Sequence, residues 1–255
     1  ELLWDRSHAR PGNRLMLLGL AQASGAEALL ATRTHSEVLD LIERAPGEVC
    51  DSLREFLAKV PQGKDAELLL GLLDVVRLVR TDALDAALSR YWAVDGGLTI
   101  QANASLNRLL VYQLSDAGRV HDAQAFLQRW RQRHGSEIVG SPIEIQIAAR
   151  ELNILGTFGA HAEAAALAAK YMKEFAGREG AWILHMALAS LAEDRGDRAD
   201  ALMQSELALV GVKAESSSRG MELDLLAYLA ATIIAASDRE RWQSLEPMLD
   251  RAEAL

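Results

Sequence analysis

Only one cysteine, Cys50, stands in 255 residues, so no intramolecular disulfide can form and no zinc cluster can be built on thiolates. The thiol sits in "EVCDSLREFLAKV", where it is expected to pack as a small apolar residue, in keeping with a reducing, cytoplasmic setting. No hydrophobic run is long enough to span a bilayer: the longest, "LLAYLAATIIAA" at 225–236, falls well short of the roughly 20 residues required. No signal-peptide pattern is visible. Basic charge is also in deficit. The formal net charge is -9 with both signs interspersed, and an acidic chain repels phosphate backbones, so direct nucleic-acid binding by this segment is not expected. The one basic run, "RWRQRH" at 129–134, reads as a solvated last turn of a helix. Strand signals are nearly missing, and no long Ser/Gly/Pro linker divides the chain.

Catalytic signatures are missing as well. There is no G-x-S-x-G, H-E-x-x-H, P-loop or G-x-G-x-x-G. The six histidines are scattered; His121 and His161 recur near the start of equivalent helices without a third ligand, and His185 lies among apolar neighbours as a core histidine with one hydrogen bond. The carboxylate pairs Asp82 with Asp85 and Glu193 with Asp194 occupy loop and cap positions, whereas general acid catalysis needs two carboxyls facing one pocket. The expectation is a protein without catalysis, cofactor or metal.

What the chain does have is helical periodicity almost throughout. Val120, Ala123, Phe126, Leu127 and Trp130 share one helical face, as do Val49, Leu53, Phe56, Leu57 and Val60. "SPIE" offers a capping box, with Ser141 at the N-cap, Pro142 at N1 and Glu144 at N3, and "THSE" (Thr34, Glu37) and "SDRE" (Ser237, Glu240) repeat the pattern. Breaks are expected at "RPGN", "APGE", "VPQGKD", "VDGGLT", "HGSEIVGSP", "AGREG" and "ESSSRG", giving about a dozen helices of roughly 12 to 22 residues.

One offset recurs. Gly118 precedes Ala123, Gly159 precedes Ala164 and Gly196 precedes Ala201, each by five residues; Asp82 and Ala87 keep the same spacing. A glycine between two helical patterns supplies a left-handed residue that ends the first helix, and the alanine marks where two backbones meet closely in a tight helix hairpin. The alanines follow one another at 36, 41 and 37 residues, a period that implies stacked helix pairs. In this the chain resembles the tetratricopeptide repeat family. Four residues beyond each alanine stand Tyr91, Leu127, Ala168 and Ser205, where that family prefers a large residue, and the spacing is that of its divergent, longer bacterial relatives. The resemblance implies an all-α fold, an α-solenoid of stacked antiparallel hairpins, as a single domain over 1–255, with divergent helices in 1–64 and recognisable pairs in 65–255. It also implies a concave groove lined by first helices. At those positions stand Ser105, Arg108 and Tyr112, then Gln146 and Asn153, then Met186 and Ser190, then Tyr228 and Thr232. Of these, Arg108, Tyr112, Gln146, Asn153, Met186 and Tyr228 are the candidate ligand contacts. The aromatic and methionine positions Tyr91, Trp92, Trp130, Tyr171, Trp182, Met186, Tyr228 and Trp242 read mainly as packing between helices, with a minority lining a ligand surface.

Two functions fit. In the first, the domain is the signal-sensing region of a bacterial transcription regulator. The chain opens on Glu1 rather than Met, which points to a segment of a longer protein, and the Ala-, Leu- and Arg-rich composition fits a high-GC bacterium. In the second, it is an adaptor, scaffold or secretion-chaperone module. The expected partner is a protein or peptide, with a small signal ligand as the other option and a homodimer allowed; no membrane partner is expected.

Overall fold

The computed structural model describes residues 64–214 continuously, together with helical positions 47, 50, 51, 54, 55, 226, 229 and 250. Among the described residues every regular element is helical, and the fold is all-α. The helices are α1 (Lys64–Arg80), α2 (Leu84–Val94), α3 (Ile100–Asp116), α4 (Val120–Ile138), α5 (Pro142–Thr157), α6 (His161–Glu174), α7 (Trp182–Asp194) and α8 (Arg198–Ala214), with a 3-10 turn at Asp95–Gly97. The chain divides into two compact units, Glu1–Ala117 and Gly118–Leu255.

In the first unit α1 packs on α2, and α2 on α3. Leu69, Leu72, Leu73, Val75 and Val76 of α1 are buried, as are Ala87 and Tyr91 of α2. The "VDGGLT" break is the 3-10 turn followed by Thr99, whose hydroxyl accepts the Ala102 N–H at 3.4 Å and caps α3. A buried polar cluster holds this corner. The Tyr91 hydroxyl donates to Asn103 Oδ1 at 3.2 Å, and Asn103 Nδ2 donates to the Asp95 carbonyl at 3.0 Å. Cys50 is buried as expected, and burial pushes its thiol pKa up.

In the second unit α5 packs against α4, α6 and α7, and α7 packs against α6 and α8. Ten of the sixteen α5 residues are buried against three of fourteen in α6, so α5 lies inside and α6 outside. Two helical glycines leave room for a residue of the neighbouring helix. A Cβ on Gly156 would sit 2.5 Å from Leu191 Cδ2, and one on Gly211 would sit 2.6 Å from Trp182 Cβ. Each glycine costs its helix about 1 kcal/mol relative to alanine, which the close packing offsets.

The recurring offset has a local explanation. Asp82, Gly118, Gly159 and Gly196 all take left-handed φ, at 57°, 72°, 76° and 74°. After Asp82, Gly159 and Gly196 the backbone makes the same pair of bonds. Ala83, Ala160 and Asp197 donate to the carbonyls of Leu78, Leu155 and Ala192, and the left-handed residue donates to the carbonyl three residues back. The residue after the turn is already the N-cap of the next helix. Ala83, Arg119 and Ala160 share nearly one conformation there, with φ/ψ of -87/57, -89/50 and -80/50. The alanine five residues after the turn is thus the fourth residue of the new helix. Ala87, Ala123, Ala164 and Ala201 donate to the N-cap carbonyl at 2.9 to 3.0 Å, and all four are fully buried. Asp82 is the only described non-glycine residue with positive φ.

Three local expectations are corrected. The "HGSEIVGSP" break begins later, because α4 runs through Gly135 to Ile138, held by the buried His134 and Ile138 one turn apart. For the same reason the "RWRQRH" run is helix interior and not a last turn: Trp130 and His134 are buried and Arg131 is engaged in a network described below. The capping box at Ser141 is incomplete. Ser141 is the N-cap and Pro142 begins the helix, but the Ser141 hydroxyl donates back to the Ile138 carbonyl at 2.7 Å, and Glu144 accepts the Gly140 N–H at 3.0 Å. The left-handed turn at Gly140 brings that carbonyl within reach of the hydroxyl. The helix starts proposed at Thr34 and Ser237 and the face from Val49 to Val60 lie outside the described residues.

Candidate functional site

Measured from the left-handed residue of each turn, the first helices can be placed in one register. Six residues before the turn stand Tyr112 on α3, Asn153 on α5 and Ser190 on α7; Tyr112 is 42% exposed, Asn153 half-buried and Ser190 exposed. Thirteen residues before it stand Ser105, Gln146 and Ile183, all half-buried. In α1 the matching positions are Val76 and Leu69, both fully covered. The first of these positions is thus exposed on α3 and α7 and half-buried on α5, the second is half-buried on all three, with Ile183 packed against the core, and on α1 both are covered.

The candidate residues fall into both units. Arg108 and Tyr112 lie one turn apart on α3 of the first unit, both exposed. Gln146 and Asn153 share a face of α5 in the second unit, seven residues apart. Between them on that face is Arg150, a buried guanidinium that the sequence reading passed over, although it stands four residues after Gln146 and three before Asn153. Met186 is half-buried against the apolar cluster of Trp182, Leu202, Leu209 and Val212, so part of its surface fills the core. Tyr228 and Thr232 lie outside the described residues.

A second polar assembly was not foreseen. Glu151 of α5 is its hub: Oε2 accepts from Arg131 Nη1 of α4 at 2.6 Å and from the Tyr171 hydroxyl of α6 at 2.5 Å, and Arg131 Nη2 donates to the same hydroxyl at 3.2 Å. The Tyr171 ring stacks on Phe175 at 5.6 Å, and the Arg178 guanidinium lies 4.8 Å from the Phe175 centroid. Arg178 Nη2 closes the strip on Glu144 at 2.9 Å and on the Ser141 carbonyl at 3.3 Å. Burial, reinforced by the hydrogen bond to Glu151, pushes the Tyr171 pKa up to about 12, which keeps the phenol protonated as a donor. The strip ties α4, α5, α6 and the connection into α7. On the far side of α7, His185 Nδ1 lies 2.9 Å from Gln204 Oε1, Gln204 Nε2 donates to Asp200 at 3.1 Å, and Arg195 pairs with Asp200 at 3.1 Å. His185 makes the single hydrogen bond expected of it, at a half-buried site.

Among the described residues no group of three or more His, Cys, Asp and Glu is arranged to hold a metal ion, and no helix is long and apolar enough to cross a membrane. No protein-family model matches the chain, and no curated protein or solved structure does either.

Proposed function

We propose that the chain is a non-catalytic helical-repeat domain of tetratricopeptide-like build, an α-solenoid of stacked hairpins that binds a protein, peptide or signal ligand along the exposed face of its first helices, as the sensing region of a bacterial transcription regulator. One observation carries the reading: six residues before the left-handed turn that ends them, α3 and α7 expose Tyr112 and Ser190 and α5 leaves Asn153 half-buried, whereas α1 buries Val76 at the same position. A helix kept inside a packed unit has no structural need for an accessible Tyr, Asn and Ser at one repeated position. Arg108 beside Tyr112 adds a guanidinium and an aromatic ring, the side chains that most often anchor protein partners. In the second unit the contacts of α5 with α4, α6 and α7 match what hairpin stacking requires.

The test is a selection. A displayed library of random peptides and a panel of small metabolites are screened against the chain, the metabolites by thermal shift. Metabolite hits with no peptide hits support a signal sensor. Peptide hits with no metabolite hits support the adaptor or scaffold reading. Failure of both panels would contradict a binding role for this face.

A further inference from the structure

The outer face of α8 breaks the pattern of the other second helices. Positions seven, eleven and fourteen residues after the left-handed turn point outward in each. In α4 they are Ala125, Arg129 and Gln132, and in α6 they are Ala166, Lys170 and Lys173, all exposed. In α8 the same positions are Met203, Leu207 and Val210, and they remain 48%, 44% and 68% exposed. The fold's own demand on α8 is met elsewhere: Leu202, Ala208, Leu209 and Val212 on the opposite face are buried with Trp182, Leu226 and Leu229. The helix thus carries an exposed apolar stripe in addition to its buried face, where α4 and α6 carry Arg129 and Gln132, and Lys170 and Lys173.

We propose that this face is covered by α8 of a second copy of the chain, in an antiparallel seam about a two-fold axis. The charges beside the stripe specify the occupant. Glu206 and Lys213 lie seven residues apart along one edge of it, and both are exposed. A two-fold antiparallel pairing brings the same edge of both helices together, in opposite directions. With the axis midway between these residues, each Glu206 meets Lys213 of the other copy, twice over, with Val210 beside the axis and Leu207 within one turn of it. Opposite charges on one edge are what self-pairing needs, whereas an edge of one sign would repel its own copy. The seam is small. Three apolar side chains per copy fall short of the roughly 20–30 residues a side of a standard interface, so the pairing is reversible and concentration-dependent. The inference rests on the helix register and not on what the first helices bind.

Sedimentation equilibrium of the whole chain across the micromolar range tests it. The parent is expected to show a reversible monomer–dimer equilibrium. Leu207→Lys with Val210→Lys installs on α8 the residues that α6 carries at the same register, and it is expected to raise the dimer dissociation constant by about tenfold or more, with the helical circular dichroism and the melting curve retained. Glu206→Lys is expected to weaken the dimer, and Glu206→Lys combined with Lys213→Glu to restore it. A parent that stays monomeric throughout, a lysine pair that dimerises as the parent does, or a charge exchange no better than Glu206→Lys alone would each overturn the proposal.

Discussion

Replacing Ala164 by leucine tests the link between the repeated turn and the packing of the helices. Ala164 is the fourth residue of α6, its N–H donates to the Ala160 carbonyl at 2.9 Å, and its methyl is fully covered within the cluster that holds Leu152, Leu155, Ala168 and Leu191. Leucine adds three carbon atoms where the start of α6 follows a left-handed turn and lacks freedom to back away. Overpacking of this kind costs about 1–3 kcal/mol. For a chain of this length roughly 2–4 °C of melting temperature is lost per kcal/mol, so a fall of about 2–12 °C is expected. The assay is thermal unfolding followed by circular dichroism, with Ala165→Leu as the control. Ala165 is exposed on the same helix, so its replacement should stay within about 0.5 kcal/mol of the parent. If Ala164→Leu melts like that control, the alanine does not mark a close helix contact and the repeat register fails at this pair.

Asp82→Gly should stabilise the first unit by about 0.5–1 kcal/mol in urea unfolding, since it relieves an L-residue held at φ 57°; a loss of stability would mean that the Asp82 carboxylate contributes more than its strain costs. Gly156→Ala should destabilise by roughly 1–3 kcal/mol because the new methyl meets Leu191, whereas Gly135→Ala, with open space around its Cβ, should gain about 0.5–1 kcal/mol from helix propensity. Equal effects at the two sites would refute the close approach of α5 and α7. Tyr171→Phe should cost about 1–2 kcal/mol at neutral pH by removing a buried hydroxyl from Glu151 and Arg131. Because the Tyr171 pKa is raised from 10 to about 12 on folding, its stabilisation is complete below pH 10 and is lost as the pH rises through 12. The variant should therefore lose part of the parent's decline between those values, and identical alkaline profiles would count against that environment.

How much the sequence disclosed depended on distance along the chain. The four turns were readable because everything that makes them lies within six residues: a left-handed position, an N-cap, and an alanine at the fourth helical residue. The buried face of α4, with Ala123, Phe126, Leu127 and Trp130, followed from periodicity for the same reason. The continuation of α4 through Gly135 did not, because tertiary contacts at His134 and Ile138 outweigh the weak local preference of one glycine. The Glu151 hub escaped because its partners stand twenty residues away on either side, at Arg131 and Tyr171, on helices whose packing had to be known first. Within the candidate site, exposure separated residues that the sequence had treated alike. Tyr112 stands out to solvent, Asn153 is half-covered, and Met186 leans on the core. Arg150 was overlooked because a charged residue on a helix reads as solvated until its burial is seen.

The central claim is that the accessible register of the first helices is a binding face, and Tyr112→Ala tests it most directly. The variant's affinity for whatever the peptide or metabolite selection recovers is compared with the parent's by calorimetry, with melting curves recorded alongside. The account expects binding to weaken by roughly 1–3 kcal/mol while stability stays within about 0.5 kcal/mol, as befits a side chain that is 42% exposed. Unchanged affinity, or a variant that unfolds, would contradict it.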